Sequence, residues 1–175
     1  CGRLPLADRR LRQAISLAIN REQMAFEFMG GRHDPATRGF IPPGMAGHGL
    51  GSGPEFDPEK GRRLMAEAGY PNCEGFPEVT LLGYSGQSTL NWIEFAQANW
   101  SEVLGCDPSL IKIEQQSFSE LLAATAGDVP DEESPHMWTL GWGPDYADEN
   151  NWVHEVFNNE EGANRLRRGC LDDTC

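Results

Sequence analysis

Residues 79–140 read VTLLGYSGQSTLNWIEFAQANWSEVLGCDPSLIKIEQQSFSELLAATAGDVPDEESPHMWTL, and the rhythm of that stretch decides the fold. Val79 and Leu81 mark a short strand. From Ser88 to Leu104 the apolar positions Ile93, Ala96, Trp100, Val103 and Leu104 recur at the helical period, and Ile111 with Ile113 mark a second strand. Ser117-Phe118-Ser119-Glu120 is a capping box that opens a helix through Leu121 and Leu122 to Gly127. Met137-Trp138-Thr139-Leu140 is then apolar enough for a buried strand. The unit is β-α-β-α-β. Strands joined by helices of this length run parallel with right-handed crossovers, so all three end on one edge of the sheet.

Helices precede this unit. Asp8 caps one whose inward face is Leu11, Ala14, Ile15, Ala18 and Ile19. Asn20, with Gln23 three residues on, starts a short second helix to Met29 that stops at Gly30-Gly31. Asp57-Pro58-Glu59 starts a third, carrying Leu64, Met65 and Ala68 to a stop at Gly69. Between them, residues 32–55 are rich in Gly and Pro and hold no sustained period, which predicts a long surface loop laid against another domain.

A chain of 175 residues, 39% hydrophobic and 23% charged, suits one folded α/β domain. Its 27 acidic residues against 14 basic give a net charge of -13, which repels phosphate backbones and excludes nucleic acid as an expected partner. The basic runs Arg9-Arg10-Leu11-Arg12 and Arg165-Leu166-Arg167-Arg168 have acids nearby and read as solvated faces. No stretch is long and apolar enough to cross a bilayer, and no secretion signal stands at the start. The abrupt ends at Cys1 and Cys175 suggest a piece of a longer protein. The five cysteines, at 1, 73, 106, 170 and 175, form no CxxC pair. Cys73 with Cys106 and Cys170 with Cys175 are pairings open to a disulfide, and the odd count leaves at least one thiol over.

In an open parallel sheet a ligand lies beyond the carboxyl ends of the strands. Three loops are there: Gly83-Tyr84-Ser85-Gly86-Gln87, Gln116-Ser117-Phe118, and residues 141–152. The third begins Gly141-Trp142-Gly143-Pro144-Asp145-Tyr146, setting glycine-opened backbone, an aromatic ring and a carboxylate within six residues. Such a loop pairs with the main chain of an extended ligand and meets a positive end, so a peptide amino terminus fits. A shielded carboxylate–ammonium bond contributes roughly 1.5 to 3 kcal/mol, enough to select orientation. Micromolar affinity needs about 8 kcal/mol, so a second lobe has to close over the ligand. A plainer reading also stands: a turn in which Trp142 packs inward and Asp145 or Asp148 caps a helix beginning near Glu149.

Catalysis is the rival reading, with Ser85, Cys106, His136, Asp145 and Asp148 as nominal participants. No GxSxG, HExxH or phosphate loop accompanies them, so an enzyme is not expected. His33, His48, His136 and His154 fall at no ligand spacing, and neither metal nor cofactor is expected.

Several segments, in order, resemble the family 5 extracellular solute-binding proteins of ATP-driven (ABC) importers, the dipeptide- and oligopeptide-binding group. They are the stretch from Arg10 to Glu22, Ile41-Pro42-Pro43-Gly44, the stretch from Phe56 to Lys60, the stretch from Leu64 to Pro71, and Gly141 to Tyr146. The resemblance runs from about Leu4 to about Arg168. It implies a periplasmic-binding-protein-like (type II) fold, with residues 1–175 as the carboxyl-terminal large lobe of a two-lobed clamp. It further implies capture of a peptide or similar small solute for delivery to ABC permease subunits, in the periplasm or outside the cell, with a lipid anchor or the permease as the only membrane link. The ligand-binding residues it implies are Asp145, Gly141, Trp142, Gly143 and Tyr146, with Asp145 pairing with the peptide's amino terminus; the position of the first loop beyond its strand adds Tyr84 and Ser85. Some members have an arginine two residues before the first glycine, where this chain has Thr139, and others carry nickel complexes or oligosaccharides.

Overall fold

A computed structural model describes residues 3–30, 35, 38–51, 53–158 and 165. Each of the first three helices starts at the cap its sequence predicts. Asp8 accepts from the Arg10 amide at the head of α1 (Arg9–Leu17), Asn20 from Gln23 at α2 (Arg21–Met29), and Asp57 from Lys60 at α3 (Pro58–Glu67). Leu11, Ala14 and Ala18 are buried, with Ile15 and Ile19 partly buried against the same core. The close contact of α1 with α3 depends on Gly61, because a Cβ there would lie 3.3 Å from the Ala14 carbonyl oxygen.

The sheet comprises β1 (Val79–Tyr84), β2 (Ile111–Gln116) and β3 (Met137–Trp138) in the order β2-β1-β3, all parallel. α4 (Gln87–Leu104) links β1 to β2, and α5 (Phe118–Ala124) links β2 to β3. The second connection travels back across β1, so right-handed crossovers place α4 and α5 on opposite faces. Burial agrees. Val79, Leu81 and Ile93 belong to the main core with α1 and α3, whereas Leu82 and Leu121, equally buried, lie outside that cluster. The indole Nε1 of Trp100 donates to the Ile15 carbonyl at 2.9 Å and ties α4 to α1.

Three sequence expectations are corrected. β3 spans only Met137–Trp138 and both residues are half-buried, because it is an edge strand with a neighbour on one side only. The ladder reaches one amide further, with Thr139 N donating to Leu82 O at 3.0 Å, and Leu140 is already exposed. α5 stops at Ala124 instead of reaching Gly127, since Thr125 leaves the helical region and turns its hydroxyl back to the Leu121 carbonyl. α4 begins one residue earlier than expected, at Gln87.

Cys73 and Cys106 form a disulfide that joins the turn after α3 to the turn after α4. Cys1, Cys170 and Cys175, and with them the other pairing, lie outside the described residues. The described part of the 32–55 loop has neither helix nor strand, and Phe40 from it stacks edge-on to Trp152 and Phe157 at 5.5 and 5.0 Å. Two arginines of the first basic run are used locally: Arg10 binds Asp8 and the Glu67 carbonyl, and Arg12 the Leu6 and Ala7 carbonyls.

Candidate functional site

β1 hands the chain to α4 on one face and β2 hands it to α5 on the other, so their loops diverge beyond Tyr84 and Gln116. This parting of loops is where open α/β sheets receive ligands. Gly83 lets α4 sit down on β1, since a Cβ there would come within 2.8 Å of Thr89 Cγ2. The exposed Ser85 is pinned through its amide to the Gln116 carbonyl. Tyr84, 38% exposed, meets Phe118, 54% exposed, edge to face at 6.1 Å, so β1 and β2 present a joint aromatic surface. Ser117 caps α5, and its hydrogen bonds hold the Glu120 carboxyl below the usual carboxylate range.

The third loop leaves β3 on the other side of β1. Gly141 and Gly143 are exposed, and a Cβ at either would meet no heavy atom within 4 Å. Packing among the described residues therefore gives no reason for glycine there, and the main chain lies open. Asp145 is exposed and makes no hydrogen bond or ion pair among the described residues. The neighbouring acid is already committed: Asp148 accepts from the Asn150 amide at 2.8 Å and caps α6 (Glu149–Phe157). The two sequence readings of the loop thus divide by residue. Asp148 is the cap, and Asp145 is the unpartnered carboxylate.

Trp142 is half-buried and donates from Nε1 to Asn151 Oδ1 at 2.9 Å. The Asn151 amide donates in turn to Glu155 Oε2 at 2.9 Å, the Tyr146 hydroxyl donates to Glu155 Oε1, and Asn150 Nδ2 donates to the Tyr146 hydroxyl. Asn151 and Glu155 were not singled out by sequence. The only signal in the sequence is a polar i, i+4 pair on one helix; that Asn151 is fully buried shows only in the structure. Thr139, just before this loop, keeps its hydroxyl oxygen buried toward Gly83 with no hydrogen-bond partner among the described residues. An open groove of about 600 Å³ runs along α6, lined by Asp148, Glu149, Asn150, Val153, His154 and Phe157.

The nominal catalytic residues are not assembled. Cys106 is consumed by the disulfide. His136 sits at the amino end of the sheet, where its Nδ1 accepts from the Thr80 amide at 3.0 Å, while Ser85 and Asp145 lie at the carboxyl end. Among the described residues no three His, Cys, Asp or Glu side chains group as metal ligands. His33 is outside the described set.

A parallel sheet wound in this order, with helices on both faces and its open backbone at the carboxyl edge, defines the class: an α/β lobe of the periplasmic-binding-protein type. The sequence signature of the bacterial extracellular solute-binding proteins, family 5 Middle, matches residues 1–164, and the chain belongs to that family. It is 26% identical over 172 residues to the glutathione-binding protein GsiB of Escherichia coli strain K12, covering 92% of this chain and 32% of that protein. Among solved structures, the periplasmic oligopeptide-binding protein OppAIV of Borrelia burgdorferi superposes with a TM-score of 0.74 at 25% identity, over 87% of this chain and 29% of that one. DppA of Helicobacter pylori, in complex with the peptide STSA, superposes with a TM-score of 0.64 at 27% identity, over 83% and 26% of the two chains. The chain spans about a third of the length of the curated relatives it matches.

Proposed function

We propose that this chain is the carboxyl-terminal lobe of a peptide-capturing component of an ABC importer, acting in the periplasm or outside the cell and delivering its ligand to membrane permease subunits. The ligand lies extended across the carboxyl edge of the sheet. Gly141 and Gly143 offer main-chain groups to it, Asp145 receives its ammonium group, and Trp142, Tyr146, Tyr84 and Ser85 line its path. The observation that carries this reading is Asp145, an exposed carboxylate with no partner among the described residues, beside glycines that packing among those residues does not require. Relatives named for binding glutathione and oligopeptides support the ligand class. A second lobe supplies the remaining contacts, since one charge-assisted bond falls well short of the roughly 8 kcal/mol of micromolar binding.

Calorimetric titration of the full-length protein with di-, tri- and tetra-alanine tests this, with the N-acetylated peptides as controls. Binding is expected for at least one free-amine peptide. Both acetylation and Asp145→Asn are expected to weaken it at least tenfold, about 1.4 kcal/mol. Equal affinity for the free and acetylated peptides removes Asp145 from the role.

A further inference from the structure

Between Thr139 and α6 the ligand-facing loop has almost no backbone support. The Thr139 amide makes the last ladder bond, and among the described residues the only backbone–backbone hydrogen bond with both ends inside 140–148 runs from Asp148 N to Tyr146 O at 3.1 Å. A segment this sparsely bonded wanders unless side chains hold it. Here they do, on both sides of Asp145. Trp142, three residues before it, and Tyr146, one residue after it, both reach one face of α6, where Asn151 and Glu155 stand one turn apart.

The chemistry of this relay leaves no freedom in its direction. An indole N–H only donates and a carboxylate only accepts, so the amide between them must turn its oxygen to Trp142 and its NH2 to Glu155. Asn151 is 0% exposed and has no water to substitute for a lost partner. The second carboxylate oxygen of Glu155 takes the Tyr146 hydroxyl. One asparagine and one glutamate therefore fix both anchors of the span that carries Gly143 and Asp145.

We infer that Asn151 and Glu155 are the positioning residues of the ligand site, holding the Gly141–Tyr146 loop in a binding-ready shape before the ligand arrives. This rests on the reading of that loop as a ligand contact. Neither residue touches the ligand. Their contribution is preorganisation, which spares binding the cost of ordering the loop.

The test is a swap of chemistry along the relay. Asn151→Asp sets two carboxylates face to face and leaves Glu155 Oε2 without its donor, while Oε1 keeps the Tyr146 hydroxyl. Adding Glu155→Gln restores every bond, because the new carboxylate at 151 accepts from Trp142 Nε1 and from the new amide at 155, whose oxygen accepts from Tyr146. In the full-length protein the single change is expected to weaken the best-bound alanine peptide at least tenfold, and the double variant to return within threefold of the parent. Glu155→Ala, at a half-buried position, serves if Asn151→Asp does not fold, and is expected to lose threefold or more. Parent-like affinity in Asn151→Asp, or in Glu155→Ala where that variant replaces it, overturns the inference, as does a folded double variant that is not restored.

A second readout needs no ligand. The 15N–1H indole resonance of Trp142, assigned by its loss in Trp142→Phe, is expected to move in Asn151→Asp and return in the double variant, with amide exchange at Gly143 and Asp145 quickening and slowing in step. If the parent binds no alanine peptide, the proposed function fails while this readout still decides the positioning role: a stationary resonance with unchanged exchange overturns it, and a reversible shift upholds it.

Discussion

The helical layer over the sheet and the loop beyond its carboxyl edge are built on opposite rules. In the layer, polar groups at the helix contacts have internal partners: Trp100 donates to Ile15 O, the Asn20 amide to Asn99, and Arg21 to the Ser16 carbonyl and hydroxyl. At the edge, Asp145 has none among the described residues, and Gly141 and Gly143 face open space. The difference teaches where to look for function. Stability is concentrated where partners are complete, and a group kept exposed and unpaired beside a rigid frame is available to something outside the chain.

Breaking the layer has the largest expected effect. The Cys73–Cys106 disulfide closes a loop of 33 residues, and chain-entropy arguments assign such a closure about 4 kcal/mol. Replacing both cysteines with serine is expected to lower the unfolding free energy, read by urea denaturation, by roughly that amount, while alanine-peptide affinity at low temperature changes little. A loss under about 1 kcal/mol contradicts the assignment of the disulfide as a main fastener of the layer.

A smaller effect is expected where the layer meets the edge. Gly83 faces Thr89 Cγ2 and Ile93 Cδ1, and a methyl group placed there would lie 2.8 and 3.3 Å from them. Both neighbours are buried, so Gly83→Ala forces the first turn of α4 outward at about 1 to 3 kcal/mol, as overpacking does. Thr89→Ser removes the nearer methyl. Added to Gly83→Ala, it is expected to recover more than half of the loss in a thermal melt, and no recovery would place the strain elsewhere. The shift also moves Tyr84 and Ser85, linking the two regions physically.

The same contrast explains what could be read in the sequence. Caps at Asp8, Asn20, Asp57 and Ser117 are local chemistry, each a side chain accepting an amide two or three residues on, and all four stand in the structure, which also decides for Asp148 between the two acids the sequence left open for the last helix. The inward face of α4 follows from one period. The strand order does not: nothing local tells β3 to pair with β1 rather than β2. Nor could sequence show Phe40 meeting Trp152 and Phe157 across more than a hundred residues, or Trp142 choosing Asn151. Asp145 was legible as a candidate because its type and place were enough. Its supports were not, since Asn151 and Glu155 matter only through contacts that the turn creates.

The smallest expected effect comes from the amino end of the sheet. His136 Nδ1 accepts the Thr80 amide, a bond that requires the unprotonated ring. Burial first, and the nearby Arg3 second, push its pKa below the ordinary value, against weaker opposing effects of the Leu4 backbone and Glu78. The unfolded chain titrates near about 6.5, so between that value and the lower folded one the unfolded state binds more protons. Stability from this group is therefore complete above pH about 6.5 and falls as acid takes the pH down through the folded pKa. His136→Gln keeps an acceptor for Thr80 without a titrating ring. The difference in urea midpoint between parent and variant is expected to grow in the variant's favour from pH 7.5 to 5.5, and a flat difference would mean that the ring is as easily protonated folded as unfolded.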